Sequence, residues 1–268
     1  DQLYNPTGIT IDNDGDFYIA DQSNDRIQKW VSGASTGTTI AGGNGPGTNS
    51  NQLGSPHYTA IDNAGNIYVA DDSNHRVQKW APGASNGITV AGGNGNGSNA
   101  DQLYSPKGLT IDDDGNIYIA DASNHRVQKW APGASTGITV AGGNSAGTNA
   151  NQLYNPSSVI IDNSGNIYIA DVTNDRIQKW TLGASYGTTV AGGNGAGDNS
   201  NQLHSPRVII IDQHNNLYIS DNYNHRIQKT SLYPSITIEE GQTTGSLTIS
   251  TEANAENNRN LILTPITN

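Results

Sequence analysis

The sequence predicts an all-β protein, a β-propeller of four-stranded blades, and three observations carry that prediction. First, the dipeptide QL returns at positions 2, 52, 102, 152 and 202, each time followed by a proline: Pro6, Pro56, Pro106, Pro156 and Pro206. A fixed interval of this kind marks a repeat architecture in which each unit covers the apolar face of its neighbour. Second, within a unit the apolar period is two. In the third copy GLTID (108–112), NIYIAD (116–121), HRVQKW (125–130) and GITVAG (137–142) are rich in Val, Ile, Thr and Tyr and are bounded by turn residues. Third, the linkers DDDG, ASN and APGAS are short enough for hairpins. Four antiparallel strands in a unit of roughly 45 residues describe a propeller blade. No segment carries a helical stripe.

The copies occupy residues 1–50, 51–100, 101–150, 151–200 and 201–240, which makes 1–240 the propeller and 241–268 a tail. After Lys229 the pattern breaks. Thr230 stands where the other copies have Trp30, Trp80, Trp130 and Trp180, and the GAS turn is missing. ITIEE (236–240) can still serve as the fourth strand of blade 5, while SLTIST (246–251) and NLILTPI (260–266) are two further strand candidates. The tail has three readings: it completes a sixth blade, it forms a small separate module, or it adds its strands to a neighbouring chain and builds a fibre.

Charge narrows the partners. The chain has 268 residues and a formal net charge of -11. Of its 13 basic residues, ten lie at two repeat positions, Arg26, Arg76, Arg126, Arg176 and Arg226, then Lys29, Lys79, Lys129, Lys179 and Lys229. Nothing remains for a basic groove, so nucleic acid is excluded as a partner. No apolar run approaches the roughly 20 residues of a membrane-spanning helix. There is no cysteine, hence no disulfide framework and no thiolate metal site. The chain begins at Asp1 without a signal peptide and is expected to be a processed protein or an excerpt of a longer one.

The stretch PKGLTIDDDGNIYIADASNHRVQKW (106–130) resembles an NHL repeat, in its proline-glycine start, its D-x-x-G-N hairpin and its N-H-R-[VI]-Q-K strand. The resemblance recurs five times and covers residues 1 to about 232. It implies a propeller that usually closes with six blades, so five copies leave a gap or the ring closes with five. Residues 235–267 resemble the latter half of a Calx-β-type sandwich module, a type common in large surface proteins. The acidic calcium loop of that family is reduced here to Glu252 and Glu256.

Several stretches imitate chemistry. G-x-S-x-G occurs four times, at 33–37, 83–87, 133–137 and 183–187, but between strands rather than before a helix, so it reads as a hairpin turn. The glycine run AGGNGNGS (91–98) has no helix after it to aim amides at a phosphate. DNDGD (12–16) spaces Asp12, Asp14 and Asp16 like the start of a calcium loop. The other copies lose the carboxylates, so turn formation explains it, and calcium stays the one cofactor the sequence admits. His75, His125 and His225 share a position with Asp25 and Asp175, which reads as a solvated site and not a metal centre. Asp21, Asp71, Asp121, Asp171 and Asp221 are each followed five residues on by the repeated arginine, and are expected to brace the blades as ion pairs with Arg26, Arg76, Arg126, Arg176 and Arg226. The tryptophans are expected between blades.

Function on a repeat scaffold belongs where the copies differ. They differ at position 4 (Tyr4, Gly54, Tyr104, Tyr154, His204), position 7 (Thr7, His57, Lys107, Ser157, Arg207) and position 22 (Gln22, Asp72, Ala122, Val172, Asn222). Positions 4 and 7 flank the proline before the innermost strand and are expected to rim the central channel. The candidate ligand-binding residues are therefore Tyr4, Tyr104, Tyr154, His57, Lys107 and Arg207, with no catalytic and no metal-ligating residue. The expected function is a non-catalytic, extracellular or cell-surface adhesion module that binds a protein or surface ligand and self-associates through residues 241–268. The alternatives are a lectin-like propeller binding a glycan and, on His57 and His204, a metal-dependent lyase or hydrolase.

Overall fold

The computed structural model describes residues 2–232. They form an all-β propeller of five blades. Blade 1 contains β1 (Pro6–Ile11), β2 (Phe17–Asp21), β3 (Arg26–Trp30) and β4 (Thr38–Gly42), and blade 2 contains β5 (Pro56–Ile61), β6 (Ile67–Asp71), β7 (Arg76–Trp80) and β8 (Ile88–Gly92). Blade 3 contains β9 (Pro106–Ile111), β10 (Ile117–Asp121), β11 (Arg126–Trp130) and β12 (Ile138–Gly142). Blade 4 contains β13 (Pro156–Ile161), β14 (Ile167–Asp171), β15 (Arg176–Trp180) and β16 (Thr188–Gly192), and blade 5 contributes β17 (Pro206–Ile211), β18 (Asn216–Asp221) and β19 (Arg226–Ser231). In every sheet the strands pair in chain order and antiparallel. The expected strands in ITIEE, SLTIST and NLILTPI, the Calx-β-type module and the self-associating tail lie outside the described residues.

Strand alternation explains how a blade serves two neighbours. In β10, Ile117 and Ile119 join Leu103, Leu109 and Trp130 on one side, against Tyr68, Ala70 and Val77 of blade 2. Tyr118 and Ala120 point the other way and join Val127 and Ala141 against Leu153, Val159 and Trp180 of blade 4. Burial on both faces is why NIYIAD reads as an almost unbroken apolar run. Trp80, Trp130 and Trp180 are each 1% exposed and lie inside these inter-blade clusters. The first strands pack on one another in sequence, β1 on β5, β5 on β9, β9 on β13 and β13 on β17, and so line the propeller axis.

The QL dipeptide is the hook between units. Leu53, Leu103, Leu153 and Leu203 are buried, and each pairs in a parallel bridge with the loop leaving the preceding blade, as Leu53 does with Pro46. Leu53 packs on Gly42, whose φ of +69° and lack of room for a Cβ explain the glycine.

The array has an open seam. Ile9, Ile11 and Phe17 of blade 1 are 52, 57 and 38% exposed, whereas Leu109 and Ile117, on the same face of blade 3, are 2 and 4% exposed. On the opposite face of blade 5, Ile227 is 68% exposed where Val127 is 0%. Among the described residues, blade 5 does not pack back on blade 1 as the internal blades pack on each other.

Candidate binding site at the inner strands

The repeated polar residues build the blades. Asp121 and Arg126 are cross-strand partners at the end of the β10–β11 hairpin, and Arg126 Nε donates to Asp121 Oδ2 at 2.7 Å. The other guanidinium nitrogens donate to the carbonyls of Ser98, Asn99 and Gln102 at 2.7, 3.1 and 3.0 Å. One side chain thus ties the hairpin to the loop arriving from the preceding blade. Asp121 also accepts from the amide of Tyr104 and the side chain of Asn124. The same 2.7 Å pair joins Arg26 to Asp21, Arg76 to Asp71, Arg176 to Asp171 and Arg226 to Asp221. Burial opposes ionisation of Asp21 and Asp221, but the amide of Tyr4 or His204, the neighbouring asparagine and the arginine outweigh it and hold both carboxyls below the ordinary range.

The repeated lysines are engaged as well. Lys29, Lys79, Lys129, Lys179 and Lys229 place Nζ over Tyr18, Tyr68, Tyr118, Tyr168 and Tyr218, 4.9 to 5.5 Å from the ring centroids. In the first turn Asp12 Oδ1 accepts from the amides of Asp14 and Asp16, and Asp16 Oδ2 lies 2.8 Å from Lys29 Nζ. These oxygens of Asp12 and Asp16 thus face N–H donors and an ammonium, contacts that build the turn. The equivalent Asp212 is pushed down to about 2, first by its hydrogen bond from the Asn216 side chain and then by backbone amides.

One expectation needs correction. The His/Asp position is an inter-blade acceptor, not merely a solvated site. His75 Nδ1 accepts from the amide of Ser105 at 3.2 Å and His125 Nδ1 from that of Asn155 at 3.1 Å. Where the residue is aspartate, Asp25 Oδ1 accepts from Ser55 and Asp175 Oδ1 from Ser205, both at 2.8 Å. All of them, with His225, sit at φ between 51° and 54°, a left-handed conformation that Asp and His tolerate. Alternation between two residue types that share one acceptor geometry was the available signal. In G-x-S-x-G the serines lie on turns, and the last glycine is dictated by packing: a Cβ on Gly87 would lie 2.8 Å from the Trp80 ring.

The variable positions are placed differently. At position 4, Tyr104 and Tyr154 are exposed and meet His75 and His125 of the preceding blade edge-on, at 5.3 and 5.2 Å. Tyr4 is exposed, and His204 packs on Tyr223 at 4.9 Å. Position 7 is the second residue of each inner strand. There Thr7 Oγ1 donates to the carbonyl of His57 at 2.9 Å and Ser157 Oγ to that of Arg207 at 2.5 Å, each linking the inner strands of consecutive blades. His57 is pushed down to about 4, first by burial and then by the charges of Lys107 and Arg207. His57, Lys107 and Arg207 stand at one repeat position on inner strands that line the axis, where the side chains of Thr7 and Ser157 reach the carbonyl of the next position-7 residue, so the position-7 residues form one axial set. Lys107 is also lowered, chiefly by burial, with Arg207 adding and Asp72 opposing. The charges that act on His57 are those of Lys107 and Arg207, whereas His204 packs on Tyr223. At position 22, Ala122 and Val172 are buried, while Asp72 hydrogen-bonds Ser105 Oγ.

The NHL repeat family matches residues 3–30, 53–80 and 103–130. The matched stretches are three of the five sequence copies. Together with the five like blades they support an NHL-repeat propeller, while the tail's likeness to a Calx-β-type module gains no support. A comparison with curated proteins gave no match. Among solved structures the chain is similar to one in a nidogen/laminin complex, at 19% identity and a TM-score of 0.65, covering 85% of this chain and 76% of that one. It is similar to an auxiliary nutrient binding protein from Bacteroides ovatus, at 16% identity and a TM-score of 0.63, over 85% of this chain and 59% of that chain. A gluconolactonase from Xanthomonas campestris is similar at 13% identity, with a TM-score of 0.60, over 81% and 69% of the two chains. These likenesses concern the fold. No helix among the described residues is long and apolar enough to cross a membrane.

Proposed function

We propose that this chain is a non-catalytic binding module, displayed outside the cell, that takes a protein partner at the axial end of its inner strands. The observation that carries the reading is the placement of His57, Lys107 and Arg207 on the axis-lining inner strands, at a repeat position where no two copies agree. Elsewhere the repeated polar residues are held in contacts that build blades. The non-catalytic reading is supported by the sameness of the blades, since a catalytic centre needs one blade to gain acids, bases or ligands that its sisters lack. A chain in a nidogen/laminin complex and a nutrient binding protein share the fold, which is compatible with binding. Burial of Trp80, Trp130 and Trp180 leaves those rings no open face on which to stack a sugar, which favours a protein partner over a glycan on every blade. A random-peptide display library passed over the protein, and over a His57→Ala, Lys107→Ala, Arg207→Ala variant, tests the site. Peptides held by the parent and released by the variant support it; peptides indifferent to the substitutions, or stoichiometric zinc or calcium in the purified protein, overturn it.

Self-association is a second reading, favoured by the seam. The exposed face of blade 1 (Ile9, Ile11, Phe17) and that of blade 5 (Ile210, Ile227) are the two halves of the interface used between internal blades. A second copy presenting its blade 5 can therefore cover blade 1, and head-to-tail contacts of this kind propagate. Light scattering of the parent and of Phe17→Glu decides: a larger mass that drops in the variant supports assembly, and a monomer in both removes it.

A further inference from the structure

We propose that Lys107, Arg207 and His57 form an anion site, and that the anion it takes is a carboxylate on an acidic segment of the partner protein. This deepens the reading above and rests on it. Ten of the 13 basic residues lie at two repeat positions. Five of these are paired with aspartates at 2.7 Å and five cover tyrosine rings. Lys107 and Arg207 are the other cations among the described residues, and both occupy position 7.

Lys107 is half-buried, and its hydrogen-bond partner is the neutral Asn155 Oδ1 at 3.5 Å. Asp72 acts on it through space while hydrogen-bonded to Ser105 Oγ. Arg207 lends its carbonyl to Ser157, and its guanidinium makes no hydrogen bond or ion pair among the described residues. His57 Nδ1 is buried without a partner. Lys107 has a neutral hydrogen-bond partner, Arg207 is exposed without a partner among the described residues, and the buried Nδ1 of His57 lacks one, so an anion reaching this place would meet donors not already taken by carboxylates. In a chain of net charge -11 this is a local reversal of field.

The chemistry of the surroundings selects the anion. The arginine fork accepts a carboxylate through two parallel hydrogen bonds. Tyr104 and Tyr154, exposed on the same blade end, offer the rigid contact area that suits a peptide.

The test is calorimetric titration of hexaglutamate and hexaglutamine peptides into the full chain at neutral pH and low salt. Hexaglutamate is expected to bind and hexaglutamine not. Lys107→Gln with Arg207→Gln should weaken hexaglutamate about ten-fold or more at an unchanged melting temperature, and Lys107→Arg should retain binding. Equal affinity for the two peptides, or parent-like binding by the double variant, overturns the anion site. Binding of polygalacturonate through the same residues, without hexaglutamate binding, overturns the protein source. If display peptides are lost in the position-7 variant yet carry no excess of Asp or Glu, the anion site fails while the binding site stands.

Discussion

Arg126 Nε stands 2.7 Å from Asp121 Oδ2, and the remaining guanidinium nitrogens hold three carbonyls of the loop from blade 2. A motif that imitates an acid–base pair is therefore a cross-link between successive units. Arg126→Ala leaves a buried carboxylate and three carbonyls without donors, and should cost about 3 to 5 kcal/mol in urea unfolding. The side chain of Arg226 is 31% exposed against 8% for Arg126, so Arg226→Ala should cost clearly less. Equal losses would contradict the role given to the loop carbonyls and to burial.

The seam predicts a difference between equivalent positions. Ile117→Ala removes a side chain packed between blades and should cost about 2 to 4 kcal/mol. Phe17→Ala, at the same repeat position of blade 1, should cost under about 1 kcal/mol. Thermal melts of the two variants compare them directly. Matching losses would show that something covers blade 1 in solution.

The acceptor shared by His125 and Asp175 gives a substitution test. His125→Asp should leave stability within about 0.5 kcal/mol, because a carboxylate accepts the same amide and tolerates the same φ. His125→Ala loses the acceptor and strains the left-handed residue, for about 2 kcal/mol. Equal destabilisation by both would refute the equivalence.

His57 sets a pH dependence. Its pKa falls from 6.5 to about 4 on folding. Above 6.5 it is neutral in both states; below, the unfolded chain takes a proton that the folded chain refuses, so stability falls as pH drops toward 4. The loss approaches about 3 kcal/mol and should vanish in His57→Gln. Proton NMR of the imidazole reads the pKa itself, and a value near 6.5 would place His57 in open solvent.

The fold was legible because the copies repeat every decisive signal: the QL hook, the period-two runs and the short turns. The Asp–Arg spacing of five residues stated the hairpin partners, since Asp121 and Arg126 flank a turn of four. What the sequence hid was contact between distant residues. Nothing local in HRVQKW says that His125 accepts the amide of Asn155, 30 residues on. Nor does a list of variable positions separate Tyr104, which leans on His75, from Lys107, which shares its surroundings with Arg207 and His57. Side chains three positions apart diverge where Ser105 takes a left-handed φ of 57° ahead of the inner strand.

Melting and peptide retention, measured in parallel on two variants, bear most directly on the division between repeated residues that hold the blades and divergent ones that meet a partner. Arg126→Ala should melt lower than the parent, whereas the triple alanine variant at His57, Lys107 and Arg207 should melt with the parent and lose the peptides the parent selects. A triple variant that unfolds early, or that keeps those peptides, would contradict the account.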